Sequence, residues 1–410
     1  MKDSPQHCQM SQFKSADNQL VINGVKLNDI VNRVGQTPFY AYDRSIIKNN
    51  IDNFNRHFAG IASLHYAIKC NPMPALVDYI SPMVDGLDVA SGQELTTALN
   101  SGHNAKEISF AGPGKQPKEL LMALAAGITI NIESERELER IFHLSKQYDY
   151  RPNIAVRVNP DFELKSSGMK MGGGSQQFGI DAERVPEVIK VILKNNANFK
   201  GFHIYTGSQN LKAESIITAH NAIFDLAVKL SRQSNTSLEQ LNIGGGFGIP
   251  YFPGEQPLEL DEIANNLKRL IATHADDLSG SEIIIELGRY LVGNSGIFVS
   301  RVIDIKQSRG QKYVVIDGGM HHQLAASGNF GQVIRKNYPV AVGNRMDQTA
   351  IESVNIVGPL CTPLDILASK YNLPHIEVDD LVVVYQSGAY GFTASPKDFL
   401  SHPYPIEVLI

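Results

Sequence analysis

Cysteine is scarce in this 410-residue sequence. Cys8, Cys70 and Cys361 are too few and too widely spaced for a disulfide framework, and a reducing cytoplasm fits them. No apolar stretch approaches the roughly 20 residues that a membrane-spanning helix needs. The stretch from Met1 to Cys8 is polar and has no apolar signal core, which also reads as cytoplasmic. Lys and Arg number 37 against 42 Asp and Glu, a net charge of −5. With no basic run, the chain has no electrostatic footprint for nucleic acid or a membrane surface. Solenoid repeats and low-complexity segments are absent too. What remains is 43% hydrophobic and 19% charged, long enough for two domains with real cores.

A hairpin is expected around Asn23-Gly24, followed by a strand over Pro38–Tyr42 and a helix from an Asp43 N-cap to about Phe58. Strand-like apolar runs then recur at 63–69, 86–91, 107–112, 128–134, 153–159, 200–207, 240–246 and 282–289. Between them lie helical patterns such as Glu94–Leu99, with a Ser91/Glu94 capping box, and Glu135–Tyr148. Eight strands alternating with helices over about 230 residues predict a (β/α)8 TIM barrel. An open doubly wound sheet would more often show fewer strands and a glycine-rich turn after the first, which is missing. After Arg289 the helices thin out. Runs at 299–305, 312–316, 354–358, 381–385 and 406–410 predict a C-terminal antiparallel β domain. The expected division is 1–42 as strands joining the β domain, 43–292 as the barrel and 293–410 as the β domain.

The stretch Ser63 to Pro72 reads as a buried strand ending on Lys69, with a helix starting at Pro72. Apolar walls there would lower the pKa of the amine and make it a nucleophile for a carbonyl. The alternative is a lysine that snorkels or pairs with a carboxylate. Barrel active sites form at the C-terminal ends of the strands. At those ends stand Asp88, Arg157, Asn159, His203, Tyr205, Ser208, Gly244, Gly245, Gly246, Glu286 and Arg289. A triple glycine is either a flexible turn or a nest of N–H groups that approaches an anion. Arg289 and Ser208 on neighbouring strand ends favour phosphate. A reactive amine, a phosphate cradle, an aromatic ring and a buried acid together suit pyridoxal phosphate, with Lys69 as Schiff-base lysine and Glu286 on the pyridine nitrogen. Tyr205 or His203 would stack on the ring. Glu286 could instead be a structural ion pair.

These motifs resemble the fold-type III pyridoxal-phosphate decarboxylases, which include ornithine, arginine and diaminopimelate decarboxylases. They are Tyr66-Ala67-Ile68-Lys69, Asp88 to Leu95, Gly207-Ser208-Gln209, Gly244-Gly245-Gly246, Glu286-x-Gly288-Arg289, Gly358 to Cys361 and Ser387 to Gly391. The resemblance implies an alanine racemase-like two-domain plan and a PLP-dependent carboxy-lyase. It implies that Lys69, Asp88, Tyr205, Ser208, Gly244 to Gly246, Glu286, Arg289 and Tyr390 bind the cofactor. It further implies a homodimer with shared active sites, in which Cys361 of the second copy returns a proton after CO2 leaves. Without the resemblance, Cys361 is an ordinary inert thiol.

Three features depart from the family pattern. Tyr205 stands where the family has its ring-stacking histidine. Thr362 replaces the usual acid after the cysteine, although Asp365 keeps a later one. Asp317 to Pro339 lacks the arginine-proline-x-leucine-tyrosine segment that grips diaminopimelate. A subgroup sharing His203 to Gly207, Met320-His321-His322, Cys361-Thr362-Pro363 and Phe399 to Pro403 resembles this chain most. It includes the butirosin-pathway decarboxylase of a carrier-tethered glutamyl group and exosortase-associated decarboxylases. The expected substrate is therefore a small amino acid or an aminoacyl group on an acyl carrier protein, with His203, His321, His322 and Asp365 as substrate-side candidates. The glycine- and lysine-rich stretch 165–174 reads as a loop at the substrate entrance or as an unrelated solvent loop. His321 and His322 have no partner spacing for a metal. Diaminopimelate decarboxylation, amino-acid racemisation and a non-catalytic PLP carrier are the rival readings. Cys361 argues against the racemase, and Lys69, Cys361 and the β domain together argue against the carrier.

Overall fold

A computed structural model describes residues 5–162, 169–170 and 173–410. Most of the 165–174 stretch lies outside the described residues. The chain divides into two compact units, one formed by 51–249 and 257–288, the other by 1–50, 250–256 and 289–410.

The first unit is a closed barrel of eight parallel strands: Ser63–Ala67, Gly86–Val89, Ile108–Phe110, Thr129–Ile132, Asn153–Asn159, Asn198–His203, Gln240–Gly245 and Glu282–Leu287. The last pairs with the first, His65 opposite Glu286. Helices Pro74–Ile80, Gly92–Asn100, Pro117–Ala126, Glu135–Tyr148, Val185–Lys194, Ala213–Ser234 and Asp261–Thr273 make the crossovers. The strands are apolar runs because both faces are covered. Ile283, Ile284 and Ile285 are all buried, and so are Leu64, Tyr66, Leu87, Ile130, Ile132 and Phe202. Each such side chain contributes about 1.5–3 kcal/mol.

Local chemistry sets the helix starts. Ser134 Oγ accepts from Glu137 N, and Asp43 Oδ1 accepts from the N–H groups of Ser45 and Ile46 at the head of Arg44–Phe58. Ser91 Oγ likewise accepts from Glu94 N, but Glu94 returns its carboxylate to Ala90 N, one residue outside the expected capping box. The first strand stops at Ala67, and Ile68–Cys70 forms a 3₁₀ turn. The next helix begins at Pro74, not Pro72; a proline at the first helical position loses no hydrogen bond.

The second unit holds a mixed sheet, not a purely antiparallel one. Its long strand Gly296–Ser308 pairs antiparallel with Phe39–Tyr42, Leu381–Val384 and Gln311–Ile316. Gln311–Ile316 pairs parallel with Glu352–Val357, and Ile406–Leu409 parallel with Phe39–Tyr42. Strands Val340–Val342 and Ile366–Leu373 complete it; their short or polar runs gave no clear signal. The hairpin turning at Asn23-Gly24 forms, within a separate small sheet over Lys14–Lys26. Its Leu20 and Ile22 pack into the same core as Phe39, Ile297, Val299 and Val383.

Candidate active site

Glu286 is buried inside the barrel on its eighth strand. Lys69 reaches it from the 3₁₀ turn after the first strand, Nζ 3.0 Å from Oε1. His203, the last residue of the sixth strand, puts Nε2 3.2 Å from Oε2. Burial is the largest influence on Glu286 and opposes its ionisation. Lys69 and His203 together outweigh burial and hold the carboxyl well below the usual range. Lys69 itself is 41% exposed and paired with an acid, so the expected desolvation by apolar walls does not occur. Tyr205 lies just past the sixth strand, its ring centroid 5.8 Å from Lys69 Nζ. His203 is buried, with its ring against Glu286.

The glycines are dictated by crowding. A Cβ on Gly245 would lie 2.0 Å from the Glu286 carbonyl, and one on Gly246 would lie 2.2 Å from that of Gly207. Gly244 and Gly246 also have positive φ, at 68° and 75°. Asn210 N donates to Gly246 O and Gly248 N to Asn210 O, which clamps the loop carrying Ser208 against the glycine loop.

Asp88 accepts from Ser109 Oγ and lies 3.6 Å from His65 Nδ1, all three buried in the barrel. Burial opposes protonation of His65, but Asp88 reverses this and raises its pKa. Sequence reasoning missed this pair. It also missed the buried ion pairs Arg157–Glu133, at 2.9 Å, and Lys115–Glu137, at 2.8 Å. Glu133 follows an apolar run much as Lys69 does, so its signal was available; nothing marked His65.

In the other unit, Arg289 Nη1 donates to the Tyr251 hydroxyl at 2.8 Å, and its guanidinium lies 4.8 Å from the Tyr390 ring centroid. Arg289 Nε is buried and has no hydrogen-bond partner among the described residues. Tyr390 has a φ of 54°. Cys361 is exposed. Asp365 is buried and accepts from Met320 N at 2.6 Å and Leu360 N at 2.9 Å, so it braces its own turn and is not available to a substrate. His321 and His322 are also fully buried, rings 3.6 Å apart, and His322 Nε2 bonds Pro403 O. The substrate-side candidates His321 and His322 are thus enclosed in the β unit.

Residues 44–293 match the family model described as pyridoxal-dependent decarboxylase, pyridoxal binding domain. Over 380 residues the chain is 37% identical to the L-glutamyl-[BtrI acyl-carrier protein] decarboxylase of Niallia circulans, covering 91% of this chain and 89% of that protein. Identity to a diaminopimelate decarboxylase of Archaeoglobus fulgidus is 33% over 400 residues, 97% of this chain and 93% of that one. The crystal structure of the diaminopimelate decarboxylase of M. jannaschii matches with a TM-score of 0.89 at 27% identity, covering 97% of this chain and 92% of that chain. By its barrel, its strand-end residues and these relatives, the chain belongs to the pyridoxal-dependent decarboxylase family.

Proposed function

We propose that this pyridoxal-dependent decarboxylase removes the α-carboxylate of an aminoacyl group tethered to a carrier protein, as a cytoplasmic homodimer with shared active sites. One observation carries the substrate reading. The turn bearing Cys361 has no carboxylate to offer a distal ammonium. Thr362 Oγ1 accepts from Leu364 N within the turn, and the two Asp365 oxygens are taken by backbone N–H groups. Diaminopimelate, lysine and ornithine carry such an ammonium, which would need a partner. The relative named for an L-glutamyl carrier protein supports the same reading.

The residues fit pyridoxal phosphate: in the barrel an amine stands beside a buried carboxylate, and in the other unit the buried Arg289 Nε has no hydrogen-bond partner among the described residues. The cofactor supplies an electron sink for the pair left when CO2 departs. Lys69 would anchor it. Glu286, held ionised by His203 once Lys69 is engaged, would keep a proton on the pyridine nitrogen. The Tyr205 ring would stack, and Ser208, Gly244 to Gly246, Arg289 and Tyr390 would hold the phosphate. Asp88, tied to His65 and Ser109, steadies the barrel interior. Cys361 of a second copy would return the proton to Cα. The exposure of Cys361, together with Val333 at 99%, Ile334 at 78% and Leu364 at 56%, supports a covering second copy.

The test is CO2 release measured by mass spectrometry with free lysine, ornithine, arginine, diaminopimelate and glutamate beside glutamyl and aspartyl carrier-protein thioesters. Turnover of tethered groups alone is expected; turnover of diaminopimelate overturns the substrate reading. For shared sites, mixing the inactive Lys69→Ala and Cys361→Ala variants should restore about a quarter of wild-type activity by random assortment of subunits. No restoration would mean that each copy works alone.

A further inference from the structure

The β unit contains a cleft of about 1000 Å3 that the proposed chemistry does not use. Arg335, Lys336 and Lys370 line it, and no lining residue is acidic. Three uncompensated cations in one cleft are unusual on a chain of net charge −5. Elsewhere lysines stand beside carboxylates, as Lys190 does with Glu187 and Lys312 with Glu352. No ion pair involves Arg335, Lys336 or Lys370 among the described residues.

Their setting is built. Arg335 is half-buried with one guanidinium nitrogen on Ile366 O, while its Nε is buried and has no hydrogen-bond partner among the described residues. Lys336 Nζ lies 5.5 Å from the Phe252 ring centroid, which orients the ammonium. Lys370 is held at a φ of 49°, where the backbone is strained for a residue with a side chain. Asn337 braces the cleft wall, donating from Nδ2 to Ser369 O and accepting from Ser369 N. His7 adds its ring, bonded to Asn337 O and facing the Tyr371 hydroxyl. Glu255, whose charge acts on His7, accepts from the N–H groups of Tyr251 and Phe252.

An arginine and two lysines lining one cleft suit an oxyanion with several acceptor oxygens. A carrier protein brings one by its nature, because its acyl arm joins the protein through a phosphodiester. We propose that this cleft docks the phosphodiester end of the carrier; this rests on the tethered-substrate reading above. Single-sign charge in a concave site attracts such a partner at range and raises its association rate.

The test uses the holoenzyme and its Lys336→Glu/Lys370→Glu double variant. The substrates are a glutamyl carrier-protein thioester and glutamyl-N-acetylcysteamine, which has no phosphate and no carrier. For the carrier substrate the variant should raise KM at least about tenfold with kcat unchanged, within the 10- to 1,000-fold range of electrostatic steering. With the small thioester, kcat/KM should stay within about twofold of wild type, because neither lysine lies in the barrel site. KM for the carrier should also climb with salt in the wild type and much less in the variant. An unchanged carrier KM, or equal losses on both substrates, overturns the docking site alone. If the wild type releases CO2 from free amino acids and from neither thioester, the tethered-substrate reading falls, and the docking site with it.

Discussion

Glu286 shows how three side chains set one protonation state. Burial alone would leave it neutral, and a neutral acid could not keep a proton on a ring nitrogen. Lys69 and His203 reverse that. Replacing His203 with Phe removes one of the two opposing influences, so the Glu286 pKa rises. The acid limb of the kcat/KM profile should move to higher pH in that variant, and a limb in the wild-type position would show that His203 only fills space. Glu286→Gln should cost about 10²- to 10³-fold in kcat, the usual loss of one preorganised electrostatic partner. The roles of Lys69 and Glu286 could be argued from their strand-end positions. That of His203 could not, because only the pairing of the sixth and eighth strands on either side of the seventh brings His203 to Glu286.

At the scale of elements, the glycine run matters through the distance between strands. Gly245 faces Glu286 across the seventh and eighth strands, and any side chain there meets a backbone carbonyl that cannot rotate away. Gly245→Ala should destabilise the protein by roughly 1–3 kcal/mol through overpacking. Since the displaced strand carries Glu286, kcat should fall too. Thermal unfolding together with a CO2 assay checks both; a wild-type Tm would mean the strands separate at little cost. The Cys361 turn is the opposite case, an exposed segment held by Asp365 from within.

For the whole molecule, a histidine buried without a charge partner costs stability as pH falls. His220 is fully buried on the helix Ala213–Ser234, and burial pushes its pKa down to about 4. Between its unfolded value of 6.5 and that folded value, the unfolded chain binds a proton that the folded chain does not, so stability falls as pH falls. From pH 7.5 to 5.0 the loss due to His220 is about 2 kcal/mol. Urea unfolding at both pH values should show a smaller fall for His220→Leu than for the wild type, and equal falls would remove His220 as a cause. Burial also lowers His322, to about 4, in the β unit.

What the sequence by itself determined was periodic or chemically distinctive. The strand rhythm gave the barrel, because parallel strands covered on both faces must be apolar throughout. The helix Glu135–Tyr148 was legible to the residue. Lys69, the glycine run and Glu286-x-Gly288-Arg289 stood out because their chemistry suits few other places. Tertiary structure decided what depends on neighbours distant in sequence. The parallel pairing in the β sheet, the burial of His321, His322 and Asp365, the exposure of Lys69 and the grouping of Arg335, Lys336 and Lys370 were of this kind. No local pattern encodes them, since each depends on which backbone or side chain the fold sets opposite.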